Sequence, residues 1–135
     1  MAFSEGAGLA SMLMIRRMQL SPQTERISPL FKCAVFFSGG VPADPVAMVE
    51  QKQLRWLSGE ADGVLIEVPT AHVWGANDGL YPEFGPVLSG LCRGEVRSVV
   101  VHGGGHEVPG RRDAEGVGRA VRAIRRAVEM ALEAQ

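Results

Sequence analysis

The sequence predicts an α/β domain: a small parallel sheet of three strands near 31–38, 66–74 and 97–101, with helices on both faces in a three-layer arrangement. Three observations lead there. The runs FKCAVFFS, EVPTAHVW and RSVVVH are short, apolar and rich in β-branched or aromatic residues, the pattern of strands buried on both faces. Each is followed by glycines, at Gly39-Gly40, Gly75 and Gly79, and Gly103-Gly104-Gly105. Segments with helical spacing alternate with these runs, as parallel pairing requires.

Composition narrows the field. A chain of 135 residues with 46% hydrophobic content can bury one core, so a single domain is expected. Fourteen Lys and Arg against 15 Asp and Glu leave a net charge of −1, which provides no basic field for nucleic acid. The two cysteines, Cys33 and Cys92, sit in apolar stretches without metal-ligand spacing. They read as packed, reduced thiols, with no metal and no cofactor implied. The apolar residues from Leu9 to Ile15 are too few to span a bilayer, and a cytoplasmic protein is expected.

Along the chain, Glu5 to Gln19 is apolar nearly all round and reads as a helix buried on most of its surface, stopped by Ser21-Pro22. Phe31 to Ser38 forms the first strand. Asp44-Pro45 reads as an N-cap followed by Pro at the first helical position, opening an amphipathic segment that reaches Trp56-Leu57. That segment is expected to pack on the sheet, with a cap over a substrate pocket as the sharper alternative. The strand from Ile66 to Trp74 admits Pro69 only at its entry. Tyr81-Pro82 to Leu91 is a further helix, Arg97 to His102 a further strand, and Arg111 to Ala134 a long surface helix with Val117, Ala120, Val121, Ile124, Val128 and Ala131 inward.

The chemistry concentrates at three loops. Ala2-Phe3-Ser4-Glu5-Gly6 is a small-x-Ser-x-Gly motif running into a helix, which places a serine hydroxyl on a sharp turn. Ala2 and Gly6 are expected to allow close backbone approach there. The ordinary alternative makes Ser4 an N-cap, its hydroxyl on a first-turn N–H. Asp78 follows one strand and His106 another, giving the order Ser, Asp, His with all three loops on one edge of a parallel sheet. A serine is a weak nucleophile until a base takes its proton, so His106 would serve as base and Asp78 would orient it. By itself Asp78 in Asn-Asp-Gly also reads as a turn residue. His102 is the second-choice base, and His72, mid-strand, reads as a packed histidine.

The segments AFSEGAGLASML, FKCAVFFSGG, VPTAHVWGANDGLYP and HGGGHEVP resemble the fungal serine hydrolase family, a branch of the α/β-hydrolases that includes thioesterase-like enzymes of polyketide pathways. The resemblance covers Ala2 to about Ala131. It implies a truncated α/β-hydrolase, with residues 1–135 forming the C-terminal portion of one serine hydrolase domain. Ser4 is implied as nucleophile, Asp78 as acid and His106 as base. The substrate class it implies is an ester or thioester, including a polyketide or other acyl chain held on a carrier domain. The Glu5 backbone N–H would supply one oxyanion-hole donor, while the family's second donor and earlier strands lie outside this sequence. Two functions follow as expectations: a hydrolase, or a non-catalytic hydrolase-like fragment that binds an acyl ligand or a partner protein. Because no strand is foreseen beside Phe31 to Ser38, self-association through that exposed edge is expected as well.

Overall fold

The computed structural model describes residues 1–134. Its elements are β1 (Ala2–Phe3), α1 (Ser4–Leu20), α2 (Pro22–Ile27), β2 (Ala34–Phe37), α3 (Pro45–Glu50), α4 (Gly59–Asp62), β3 (Thr70–Gly75), α5 (Pro86–Gly90), a 3₁₀ turn at Gly94–Val96, β4 (Arg97–His102) and α6 (Ala114–Glu133). The four strands are all parallel, in the order β1-β2-β3-β4. The fold is thus α/β with helices on both faces, as read from the sequence, but with one strand more.

The extra strand corrects the account of the sheet edge. Ala2 and Phe3 lie opposite Phe36 and Phe37, so the upper half of β2 has a partner on that side. Two residues are few for a strand signal, and only their place beside β2 makes them one. Strand bounds also tighten. Pro69, without an N–H, delays β3 to Thr70, while Ile66 makes an isolated parallel bridge to Cys92. Ser38, at φ 45°, leaves the extended region and ends β2.

Alternate residues feed two cores. On one face Val35, Ala71, Val73 and Val100 meet Ala120, Ala123 and Ala127 of α6. The small inward side chains of α6 bring that helix close to the sheet, and the Asp113 carboxylate caps its start through the Gly116 N–H. On the other face Phe36 packs with Ala7 and Ile15 of α1, Leu57, Ile66, Leu88 and Leu91.

Four helical expectations change. Helix α1 buries Ala7, Gly8, Ser11 and Ile15, one stripe, whereas Leu9 is 69% and Leu13 45% exposed. Among the described residues nothing covers that outer face. The segment opened by Asp44 stays helical only to Glu50. Lys52 at φ 55° turns it, and the chain returns antiparallel to itself, Asp44 N–H to Arg55 O at 2.8 Å. Arg55 closes this turn by bridging Asp44 at 2.8 Å and Asp62 at 2.7 Å. Gln19 donates to Asp44 at 3.2 Å, which places α3 beside the C-terminal end of α1, ~22 Å along the helix from Ser4. The segment therefore packs and does not cap. Pro22 starts a second helix instead of only ending the first. Finally, the helix foreseen from Tyr81 shrinks to Pro86–Gly90, because Gly85 takes φ 106°. Its Cβ position would fall 2.6 Å from the Trp74 ring, so only glycine fits.

Candidate functional site

Ser4 sits where extended backbone at Phe3 (φ −127°) breaks into α1, and it takes φ 56°, a left-handed conformation that a serine adopts at a cost. Helix α1 has no side-chain cap, so the N-cap alternative for Ser4 does not hold. Its hydroxyl instead lies 2.7 Å from His106 Nε2. The close approach that the sharp turn demands is supplied elsewhere than expected. A Cβ on Gly6 would meet nothing within 4 Å, but one on Gly40 would sit 3.0 Å from the Ser4 carbonyl oxygen, and one on Gly8 3.4 Å from Gly40. Gly40 N–H donates to that same carbonyl at 2.9 Å. Among the glycines near this turn, Gly40 and Gly8 and not Gly6 meet close neighbours.

Asp78 lies three residues beyond β3 and is buried, with side-chain exposure of 4%. One carboxylate oxygen accepts the N–H groups of Leu80 at 3.1 Å and Tyr81 at 2.8 Å; the other is 2.7 Å from His106 Nδ1. Burial pushes its carboxyl up, but the Tyr81 amide, the His106 ring and the Leu80 amide together outweigh that and hold it below the ordinary 3.8. Asp78 is thus both the turn residue and a histidine partner: one oxygen serves each task.

His106 is carried by the loop after β4. That loop is pinned to the Asp78 loop, since Asn77 N–H donates to Gly104 O at 3.0 Å and the Asn77 side chain to Gly103 O at 2.7 Å. With Nδ1 donating to Asp78, Nε2 is free to accept the Ser4 proton. Three aromatic rings surround the imidazole: Phe3 at 5.1 Å, Tyr81 at 5.0 Å and Phe84 at 5.9 Å between centroids. The sequence reading missed this group. Phe3 directly precedes Ser4 and Tyr81 follows Asp78 by three, and that adjacency was the available signal.

The other candidates fall into place. His102 is buried, its Nε2 on Glu107 O at 3.1 Å and its Nδ1 accepting from Gly104 N–H at 3.0 Å, so it braces the loop and does not face Ser4's hydroxyl. His72 is packed mid-strand, as read. Cys92 is buried, and burial pushes its thiol up to about 12, far from a reactive thiolate; Cys33 is half-buried and both are free. Glu5 opens the first turn of α1 next to Ser4, where helix amides lack intrahelical acceptors. Among the described residues no helix is long and apolar enough to cross a membrane, and no group of three or more His, Cys, Asp or Glu is placed to hold a metal ion.

Over its full length the chain is 33% identical, across 138 residues, to Esterase FPY3 of Fusarium mangiferae, and it spans 58% of the length of that relative. No solved structure matches. Residues 1–116 match the family model described as Serine hydrolase (FSH1), and the chain belongs to that serine hydrolase family.

Proposed function

We propose that the chain hydrolyses carboxylic esters or thioesters through Ser4, His106 and Asp78. The observation that supports this is one continuous line of hydrogen bonds, Ser4 Oγ to His106 Nε2 at 2.7 Å and His106 Nδ1 to Asp78 Oδ2 at 2.7 Å. In this reading Ser4 Oγ bonds to the substrate carbonyl carbon while its proton passes to Nε2. Collapse of the tetrahedral intermediate breaks the bond to the alcohol or thiol, which leaves with that proton. Water then bonds to the acyl carbon and gives a proton to Nε2, and Ser4 Oγ recovers it as the acid departs. Asp78 stays ionised throughout and stabilises the imidazolium. The Glu5 N–H, at the positive end of α1, faces the developing oxyanion.

A thioester on a carrier domain, including a polyketide chain, fits the same chemistry with a better leaving group. The family and the esterase relative support hydrolysis; the acyl group and its carrier are our extension. The test is covalent labelling with a fluorophosphonate together with turnover of p-nitrophenyl acetate and butyrate. Labelling at Ser4 that is lost in Ser4→Ala, with turnover falling to background, is expected. Labelling elsewhere, or acyl-ligand binding without label or turnover, sinks the hydrolase reading and leaves the non-catalytic one.

A further inference from the structure

Tyr81 touches both partners of Ser4 while remaining 39% exposed. Its amide donates to Asp78 Oδ1 at 2.8 Å, its ring lies 5.0 Å from the His106 ring at 58°, and it stacks on Phe84 at 4.7 Å. Phe3, 42% exposed, approaches the imidazole at 5.1 Å. Neither ring belongs to the buried clusters of the two cores. Both approach His106.

We infer that Tyr81, stacked on Phe84 and aided by Phe3, is a positioning residue that keeps the His106 ring in place after Ser4 has been acylated. This rests on the hydrolase reading above. In the free site His106 is held at both nitrogens. Once Ser4 Oγ carries an acyl group it has no proton to donate, the contact at Nε2 is lost, and only Nδ1–H to Asp78 remains. A ring held by one hydrogen bond can turn about its Cβ–Cγ bond, which carries Nε2 out of line and pulls Nδ1 away from Asp78. Yet deacylation needs Nε2 aimed at the attacking water, to take its proton as the new carbon–oxygen bond forms. The aromatic contacts do not depend on Ser4 Oγ and persist in the acyl-enzyme. A displacement of ~1 Å at this step is worth as much as ~100-fold in rate.

The experiment follows both steps with p-nitrophenyl acetate. In Tyr81→Ala, steady-state turnover is expected to fall by ~10–100-fold while the burst of p-nitrophenol slows far less, so that acyl-enzyme accumulates. Tyr81→Phe keeps the ring and should restore turnover. Equal slowing of burst and steady state, or failure of Tyr81→Phe to rescue, overturns the inference. A second readout needs no turnover. Ser4→Ala removes the Nε2 contact, and the downfield proton resonance of His106 Nδ1–H should survive in Ser4→Ala and in Ser4→Ala/Tyr81→Phe but vanish in Ser4→Ala/Tyr81→Ala. Its persistence in the last variant, shown folded by a cooperative melt, rejects the clamp. A wild-type chain with this resonance but no turnover would count against the hydrolase reading, and the resonance series would still decide the role of Tyr81.

Discussion

Asn77 and Gly103 join the two loops that carry Asp78 and His106: the Asn77 side chain donates to the Gly103 carbonyl at 2.7 Å, 26 residues away in sequence. The neighbouring bond from Asn77 N–H to Gly104 O makes the link double. Replacing the side chain by Ala leaves the backbone bond but frees the loop to slide against Asp78. Asn77→Ala should cost ~0.5–1.5 kcal/mol of stability. Ester turnover should drop ~10-fold, because His106 loses register with its partner. Thermal melts and p-nitrophenyl butyrate kinetics check both; unchanged kcat/KM beside lowered stability would show that the backbone bond alone holds the register.

Gly75 is the second constraint on the same pair of loops. A Cβ there would run into the carbonyl oxygens of Gly104 and Gly105, and backbone cannot move aside as a flexible side chain can. Gly75→Ala should therefore destabilise by ~1–3 kcal/mol or more, by overpacking. Gly79, four residues on, has open space around its Cβ position. Gly79→Ala is the matched control and should stay within ~0.5 kcal/mol. Denaturant midpoints for the two variants distinguish crowding from a generic loss of glycine.

The site was legible in the sequence to the extent that chain order and strand ends determine it. Asp78 and His106 each follow an apolar run, Ser4 stands in a small-x-Ser-x-Gly motif that opens a helix, parallel strands put such ends on one edge, and the three side chains meet there. What escaped the reading depends on partners distant in sequence. The need for Gly40 beside Ser4 arises from β1 lying against β2. Likewise the Asp44 to Arg55 pairing, which ends α3 early, joins residues whose local pattern is helical. Phe3, Tyr81 and Phe84 converge on one imidazole from separate elements, and no period in the sequence connects them. Pro22 illustrates an ambiguity of a different kind: proline both ends a helix and suits the first position of the next.

His72 makes a prediction about acid. It is 1% exposed, its Nε2 meets Thr70 Oγ1 at 3.0 Å and its Nδ1 has no partner. Burial, with some help from the positive charge of Arg97, lowers its pKa from 6.5 to about 3. The folded chain thus keeps His72 neutral where the unfolded chain protonates it. Between those two values the unfolded state binds more protons, so stability falls as pH falls, by at most ~1.4 kcal/mol per pH unit from this residue. Asp78, Asp44 and Asp62, all held below 3.8, lose their contributions only further into acid. His72→Leu should accordingly flatten the stability profile between about pH 6.5 and 4. Urea titrations across that range check it; an unchanged slope would mean that His72 is protonated in the fold.

The two edges of the sheet should behave oppositely in self-association. Along the outer side of β4, where alternate carbonyls point away from β3, α6 reaches over with two guanidinium groups. Arg119 donates to Val101 O at 3.0 Å, and Arg126 donates to Arg97 O at 3.2 Å and to Ser98 Oγ at 2.7 Å. Charged side chains on edge carbonyls block a further strand from pairing. At β1 no such cover exists among the described residues; Met1 and Phe3 are exposed there, and so are Leu9 and Leu13 on α1, the helix that packs against β1 and β2. Burial of an exposed leucine is worth ~1.5–3 kcal/mol, so a second surface laid over this side would gain several such increments. The chain should therefore self-associate through the β1 side, and Leu9→Glu with Leu13→Lys should shift it toward monomer in sizing chromatography. Arg119→Ala with Arg126→Ala should act the other way, opening the second edge so that dimers grow into larger species. If the leucine pair leaves the elution unchanged, the β1 side is not the contact; if the arginine pair does so, the guanidinium groups are not what keeps β4 closed.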